Sequence, residues 1–372
     1  MSEVINRPIW VKQGGKDRIQ VLDQRYLPHK IVIKDLENSD AVVEAISEMV
    51  VRGAPLIGVT AAFGVYFAYI ESLEQENFEK VFDEKIEKLK SVRPTAVNLN
   101  WAIQAQLELM KKSRSNLAQK LFQNAQKIAE EDVQACQKIG EHGVRLLQKI
   151  YDQKKDTVNI LTHCNAGWLA CVEWGTATAP IYIAHQKGIP VHVWVDETRP
   201  RNQGAGLTSW ELQQQGIPYT VITDNAGGHL MQRGMVDICI TGTDRTTFTG
   251  DVANKIGTYL KALAARDNRI PFYVALPSST IDWQSEAGIN DIEIEERNED
   301  EVKFVQGLHG GKIKKVLITP KDAKASNYAF DVTPARLITG LITDRGICAA
   351  SQAGIASLFP EKKNLSNTIS HG

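Results

Sequence analysis

Short apolar runs recur through the second half of the chain, at 158–161, 191–195, 219–222, 236–240 and 271–276, and helical segments separate them. A strand that is apolar along its length, rather than at alternate positions, is buried on both faces. Strands of that kind joined through helices pair in parallel and carry their helices on both sides of the sheet. The pattern specifies a doubly wound, Rossmann-like parallel sheet over 151–372.

The first half has a different rhythm. Between Ile9 and Ile33, short apolar pieces interrupted by Gly14-Gly15 and Pro28 predict two or three strands with turns, a small antiparallel sheet. Helices follow. Asn38-Ser39-Asp40 offers capping chemistry ahead of Val42, Val43, Ile46, Met49 and Val50. Gly53-Ala54-Pro55 interrupts, and 57–70 reads as a buried helix. Phe78, Val81, Phe82, Ile86 and Leu89 give 74–92 one apolar face, and the stretch after Pro94 is amphipathic too. From 117 to 150 the helical period persists through Leu121, Ala125, Ile128, Val133, Cys136 and Ile139, with Gly140 as a break. This predicts a mostly helical N-terminal domain over 1–150, ending in a helix that bridges to the second domain. The exposed connections fall at 151–156 and 291–301.

Charge and composition exclude several functions. A formal net charge of −1 argues against general binding to nucleic acid or to a membrane surface. No apolar run approaches the roughly 18 residues of a membrane span. The N-terminal residues lack signal-peptide architecture, and five cysteines without C-x-x-C spacing are no disulfide framework, so the expected compartment is the cytoplasm.

Chemistry concentrates where strands end, because ligands of open α/β sheets bind outside the carboxyl ends of the strands. The run at 236–240 breaks into Thr241-Gly-Thr-Asp244, and Gly250, Asn254 and Lys255 follow at an expected helix start. The run at 158–161 delivers Cys164 by the same logic. Cys136, Cys171, Cys239 and Cys348 read as small buried hydrophobes. His163 is expected on the opposite side of its strand from Cys164, packed or hydrogen-bonded. The carboxylates of Asp196-Glu-Thr-Arg199 are expected to fix their loop and Arg199 rather than to hold a metal. Glu295-Glu296-Arg297 reads as a salt-bridge element. Of Trp168, Trp174 and Trp194, two are expected to be core, and one to line a pocket for a sugar tail.

Taken together, Arg52-Gly-Ala-Pro55, Arg93-Pro-Thr-Ala-Val-Asn98, Thr162-His-Cys-Asn-Ala-Gly167, Asp196-Glu-Thr-Arg-Pro200, Gln203-Gly-Ala205, Asp224-Asn225, Gly242-Thr-Asp-Arg245, Gly250-Asp-Val-Ala-Asn-Lys-Ile-Gly257, Ile294-Glu-Glu-Arg297 and Ala329-Phe-Asp-Val-Thr-Pro334 resemble the methylthioribose-1-phosphate isomerase family over almost the whole chain. The same superfamily contains the α, β and δ subunits of eukaryotic initiation factor 2B, which bind rather than catalyse. A sugar-phosphate- or nucleotide-sensing subunit is therefore the alternative.

The resemblance implies an aldose–ketose isomerase of methionine salvage acting on a sugar 1-phosphate. Phosphate on the anomeric oxygen blocks spontaneous ring opening, so an acid must assist. The resemblance gives that role to Asp244, whose carboxyl burial would keep protonated. It makes Cys164 the base that moves a proton from C2 to C1. Arg52, Gly53, Ala54, Arg93, Gln203, Asn254 and Lys255 are the implied substrate contacts, offering guanidinium forks, a point charge and amides to phosphate. No metal and no cofactor are expected, and the partner is a second copy, as a homodimer. Trp168, Cys171-Val-Glu-Trp174 and Thr246-Thr-Phe-Thr249 depart from the common pattern, which leaves 5-deoxyribose 1-phosphate open as a substrate.

Overall fold

In a computed structural model of the protein, residues 7–12, 18–93, 96–113, 115–285 and 292–365 are described. The expected turn at Gly14-Gly15, Pro94, and Asp291 at the head of the acidic connection lie outside them.

Strands β1 (Ile9–Val11), β2 (Ile19–Leu22) and β3 (Ile33–Leu36) form the antiparallel sheet, Ile9 facing Val21 and Ile19 facing Leu36. Helix α1 (Ser39–Ser47) begins where Asn38 accepts a hydrogen bond from the Ala41 amide. Helix α2 (Ala54–Leu73) begins after Gly53, whose φ of 92° lies in the region glycine adopts freely, and Pro55 sits in its first turn. Against the sequence expectation, α2 is long and apolar enough to cross a membrane, with 78% of its most apolar window buried within the protein. Its sheath is protein: Phe63, Phe67 and Leu56 join Leu89 of α3 (Phe78–Ser91) and Leu99 and Ile103 of α4 (Val97–Lys112) in one core.

Helix α5 (Leu117–Lys154) runs unbroken for 38 residues, through the glycine expected to break it and past the expected start of a loop at 151. Gly140 and Gly143 serve close approach instead. A Cβ at Gly140 would stand 2.7 Å from Ile183, and one at Gly143 2.4 Å from Pro180, both on α6 (Ala179–Gln186). Val133 is only partly buried, and Asp132 takes the inward place beside it.

The large sheet has the order β16-β15-β10-β7-β4-β5-β6. Its strands are β4 (Val158–Thr162), β5 (Val191–Asp196), β6 (Tyr219–Ile222), β7 (Ile238–Thr241), β10 (Phe272–Leu276), β15 (Gly340–Thr343) and β16 (Gly346–Cys348). All neighbours pair in parallel except β16. Ile160 and Ile240 pack on the α5–α6 side, whereas Leu161 and Cys239 pack against α8 (Ala226–Gln232) and α9 (Thr258–Asp267). Burial on both faces is why the strands read as continuous apolar runs. From β4 the chain winds outward to β5 and β6, then returns to lay β7 against the other edge of β4. That reversal opens a crevice beyond the ends of β4 and β7.

A second sheet, of order β11-β8-β9-β14, is not apparent in the sequence pattern. It contains β8 (Arg245–Thr247), β9 (Val252–Lys255), β11 (Ile281–Asp282) and β14 (Phe330–Thr333). Asn254 and Lys255 accordingly end a strand rather than start a helix, because the helix waits for Gly257, at φ 103°, to turn the chain into α9.

Candidate active site

Both strand-end residues reach the crevice. Cys164 follows β4 with a φ of 65°, a left-handed conformation that costs a non-glycine residue about 1 kcal/mol or more and persists only where neighbours impose it. The neighbours are identifiable. The Cys164 amide donates to Thr198 Oγ1 at 2.8 Å, and its carbonyl accepts from Thr208 Oγ1 at 2.7 Å. On one side His163 is held at both ring nitrogens, Nδ1 lying 2.8 Å from the Asp196 carboxylate and Nε2 donating to the Ile256 carbonyl at 2.9 Å. On the other, Asn165 Nδ2 donates to Glu211 at 2.8 Å.

Glu211 organises this loop. Its buried carboxylate accepts from the Trp168 and Leu169 amides, Asn165 and the Tyr182 hydroxyl. Burial pushes its carboxyl up, and these donors oppose the shift. A Cβ at Gly167 would fall inside the same carboxylate. Sequence reasoning missed Glu211, though a lone acid between Trp210 and Leu212 in an apolar stretch was a usable signal. Asp224 belongs to one of the motifs that carry the resemblance but was given no role. It accepts from the Thr198 and Arg199 amides, both at 2.7 Å, and so does the loop-fixing expected of Asp196 and Glu197. Asp196 instead pairs with His163 and, at 3.1 Å, with Lys261.

Asp244 begins the turn from β7 into β8, its amide donating to Ala253 at 3.0 Å. Asp244 is half-buried and lines the crevice. Burial pushes its carboxyl up, while Lys255, Arg93 and Arg52 pull it back. Burial also raises the Cys164 thiol, with Arg52 and Lys255 opposing. Lys255 is lowered by burial and supported by Cys164 and Asp244, and its ammonium stands 5.0 Å over the Phe330 ring.

Two small adjoining cavities meet at Asp244 and Ala54. One, of about 30 Å³, is lined by Arg52, Gly53, Ala54, Cys164, Asp244 and Asn254, among others; the other, of about 20 Å³, by Arg93, Ala54 and Asp244. Arg52 is steered by Asn165, which accepts from it at its side chain (2.5 Å) and its carbonyl (2.9 Å). Arg93, 7% exposed, stands 3.3 Å from Glu295, which pairs in turn with Arg297 at 2.7 Å, so the expected salt-bridge element reaches into the site. Gln203 and Lys255 are the expected contacts that line neither cavity. Gln203 is buried near the loop after β5, and its Oε1 has no hydrogen-bond partner among the described residues.

None of the three tryptophans lines either cavity. Trp168 packs on Trp210, Trp174 borders the α5–α6 side, and Trp194 donates to the Met235 carbonyl. Of the positions that depart from the common pattern, Cys171 lines the cavity, whereas Thr246 and Thr247 are buried in β8.

A doubly wound sheet with a thiol, a carboxyl and cationic side chains converging at the switch point defines a binding or catalytic protein for a small anion. Residues 50–350 match the Initiation factor 2 subunit family. The chain is 59% identical to the methylthioribose-1-phosphate isomerase of Desulfosudis oleivorans, covering 96% of this chain and 98% of that one. It is 56% identical to that of Desulfatibacillum aliphaticivorans, over 96% and 97%. Among solved structures, 5-methylthioribose 1-phosphate isomerase from Pyrococcus horikoshii matches with a TM-score of 0.81 and 38% identity, covering 96% of each chain. A structure titled initiation factor eIF-2B subunit delta, from A. fulgidus, matches at 0.74 and 37%, over 95% of this chain and 99% of that one. The chain belongs to the Initiation factor 2 subunit family and, within it, to the methylthioribose-1-phosphate isomerases.

Proposed function

We propose that the chain converts 5-methylthioribose 1-phosphate to 5-methylthioribulose 1-phosphate, with Asp244 as acid and Cys164 as base. The observation that carries this reading is that the two residues, from the ends of neighbouring parallel strands, line one cavity with Arg52. As a member of this family the chain is an isomerase of methionine salvage; the roles given to its residues are our reading.

In this mechanism the Asp244 proton passes to the ring oxygen as the C1–O bond breaks. The Cys164 thiolate takes the C2 proton, which leaves a phosphoenol between C1 and C2. The thiol returns that proton to C1, the enol hydroxyl gives its own to the Asp244 carboxylate, and the ketose forms with phosphate still attached. Arg52, Arg93, Lys255 and Asn254 hold the phosphate, with backbone amides of Gly53 and Ala54. Gln203, with its unpartnered oxygen, completes the substrate contacts when the crevice closes on its ligand. Cavities of about 30 and 20 Å³ are too small for a pentose phosphate, so the crevice must widen to admit one.

The division at residue 150 into a helical domain and a catalytic domain fits the separate core around α2. Five unpaired cysteines support a reducing, cytoplasmic setting, and the partner is a second copy of the chain. Phosphorus NMR of the chain with 5-methylthioribose 1-phosphate, and in parallel 5-deoxyribose 1-phosphate, tests the reading. Formation of the methylthio ketose phosphate supports it; turnover of the deoxy sugar alone moves the substrate. No ketose from either favours a sensing subunit.

A further inference from the structure

Asp132 and Cys136 stand four residues apart on α5 and so share one helix face, with Cys136 Sγ 3.9 Å from Asp132 Oδ1. Cys171 closes the group from the loop that follows Cys164. The three donor atoms lie within 4.8 Å of one another, and both thiols are fully covered. Asp132 forms no ion pair among the described residues; its second oxygen accepts from the Val172 amide at 2.9 Å, which aims the first toward the sulfurs.

The other comparable cluster, His163, Asp196 and Asp224, differs in one respect. Lys261 already supplies it with a cation, 3.1 Å from Asp196 and hydrogen-bonded to the Asp224 carbonyl. Asp132 has no paired cation among the described residues, although Lys138 borders the same cavity and Arg52 lies near Cys171. Two thiols and a carboxylate are the donor set of a thiophilic divalent ion, with ligand distances of about 2.3 Å to sulfur and about 2.0–2.2 Å to oxygen. Those lengths place tetrahedral ligands roughly 3.5–3.8 Å apart, so a Cys136–Asp132 separation of 3.9 Å needs little closing. Asp132 also borders a cavity of about 260 Å³ with Gln134, Lys138 and Asp344, a cavity that neither thiol lines.

We propose that Asp132, Cys136 and Cys171 form a binding site for one divalent cation of the zinc or cadmium kind, separate from Cys164 and Asp244. Three protein ligands and an open position make it an exchangeable site. Binding displaces the thiol protons, and the Val172 amide plays the outer role of orienting the carboxylate. Because Cys171 also lines the catalytic cavity, an occupied site touches the wall of the active centre.

The test uses the full-length Cys164→Ser variant, reduced with a phosphine, so that the catalytic thiol cannot contribute. Cadmium titration followed by calorimetry and by the thiolate-to-metal absorption band is expected to saturate at one equivalent. X-ray absorption of the loaded protein should count two sulfurs and lighter oxygen neighbours. Adding Cys136→Ser or Cys171→Ser should weaken binding about ten-fold or more, and Asp132→Asn less while the band remains. Lack of saturable binding, one sulfur or none in the ligand count, or equal affinity after both cysteines are replaced overturns the site. The ligand count does not depend on any variant at these three positions.

Discussion

Arg52 Nη2 lies 3.9 Å from Cys164 Sγ while the same guanidinium is hydrogen-bonded to Asn165. One cation therefore faces the thiol and lines the small cavity that Asp244 also borders. At such a distance in a protein environment, a positive charge favours thiolate by a few kcal/mol at most, with an effective dielectric of about 20. That opposes the cost of burial without abolishing it, in line with a thiol that stays raised.

Substitution at the two reacting groups should separate chemistry from folding. Asp244→Asn keeps the shape and removes the acidic proton; Cys164→Ser leaves a hydroxyl of far higher pKa. Each is expected to lower kcat by about 100-fold or more with an unchanged melting temperature. Wild-type turnover in either purified variant removes that residue from the mechanism.

Anchoring should behave differently. Arg52→Ala and Arg93→Ala are expected to raise KM, and kcat should fall as well because the phosphate orients the sugar. Sulfate should compete with substrate in the parent and weakly in the variants. Unchanged KM and sulfate inhibition in both would place the phosphate elsewhere.

The strand ends were legible because both faces of the large sheet are covered, so each strand prints as an apolar run and its end as an abrupt polar break. The strand-end positions of Cys164 and Asp244 follow from that. Asn254 and Lys255 were misplaced on a helix because β9 is four residues long, and its pairing with β14 is made with residues about 75 positions away. Glu211, Asp224 and Asp132 were unreadable as partners because each acts on backbone amides of a distant loop. The sequence pattern showed only an acid among the polar positions of a helix or beside a turn.

The pH profile follows from the two raised groups. The active form carries one proton on the pair, on Asp244 with Cys164 ionised, and is the minor partner of the one-proton form in which the two are reversed. Below the raised Asp244 value both groups are protonated, and above the raised Cys164 value neither is. The log of kcat/KM should therefore rise through the first, stay level, and fall through the second at alkaline pH. A profile with a single limb over that range excludes the pair.

Asp132 gives a stability prediction of definite sign. Its carboxyl is pushed by burial from 3.8 up to about 7, with the Val172 amide and Cys136 opposing. The folded state thus binds this proton more tightly than the unfolded one, so the stability it contributes is full below 3.8 and is lost as pH rises through about 7. Asp132→Asn keeps an acceptor for Val172 and cannot ionise. Its melting temperature should exceed the parent's above neutral pH, with the gap narrowing in acid. Parallel curves from pH 4 to pH 8 would falsify the assignment.

The route of the migrating hydrogen decides what Cys164 does. As a base, it holds the substrate's C2 proton on sulfur, and that proton can exchange with solvent before it is returned to C1; direct hydride transfer from C2 to C1 permits no exchange. The covered thiol, 6% exposed, slows exchange without preventing it over many turnovers. Reaction in deuterium oxide should therefore place solvent deuterium at C1 of the ketose, measured by mass spectrometry and proton NMR, at a level that rises on prolonged incubation. Cys164→Ala should lose both turnover and exchange. Complete retention of substrate hydrogen together with high activity in Cys164→Ala ends the thiol-base mechanism and leaves Asp244 to assist a hydride shift.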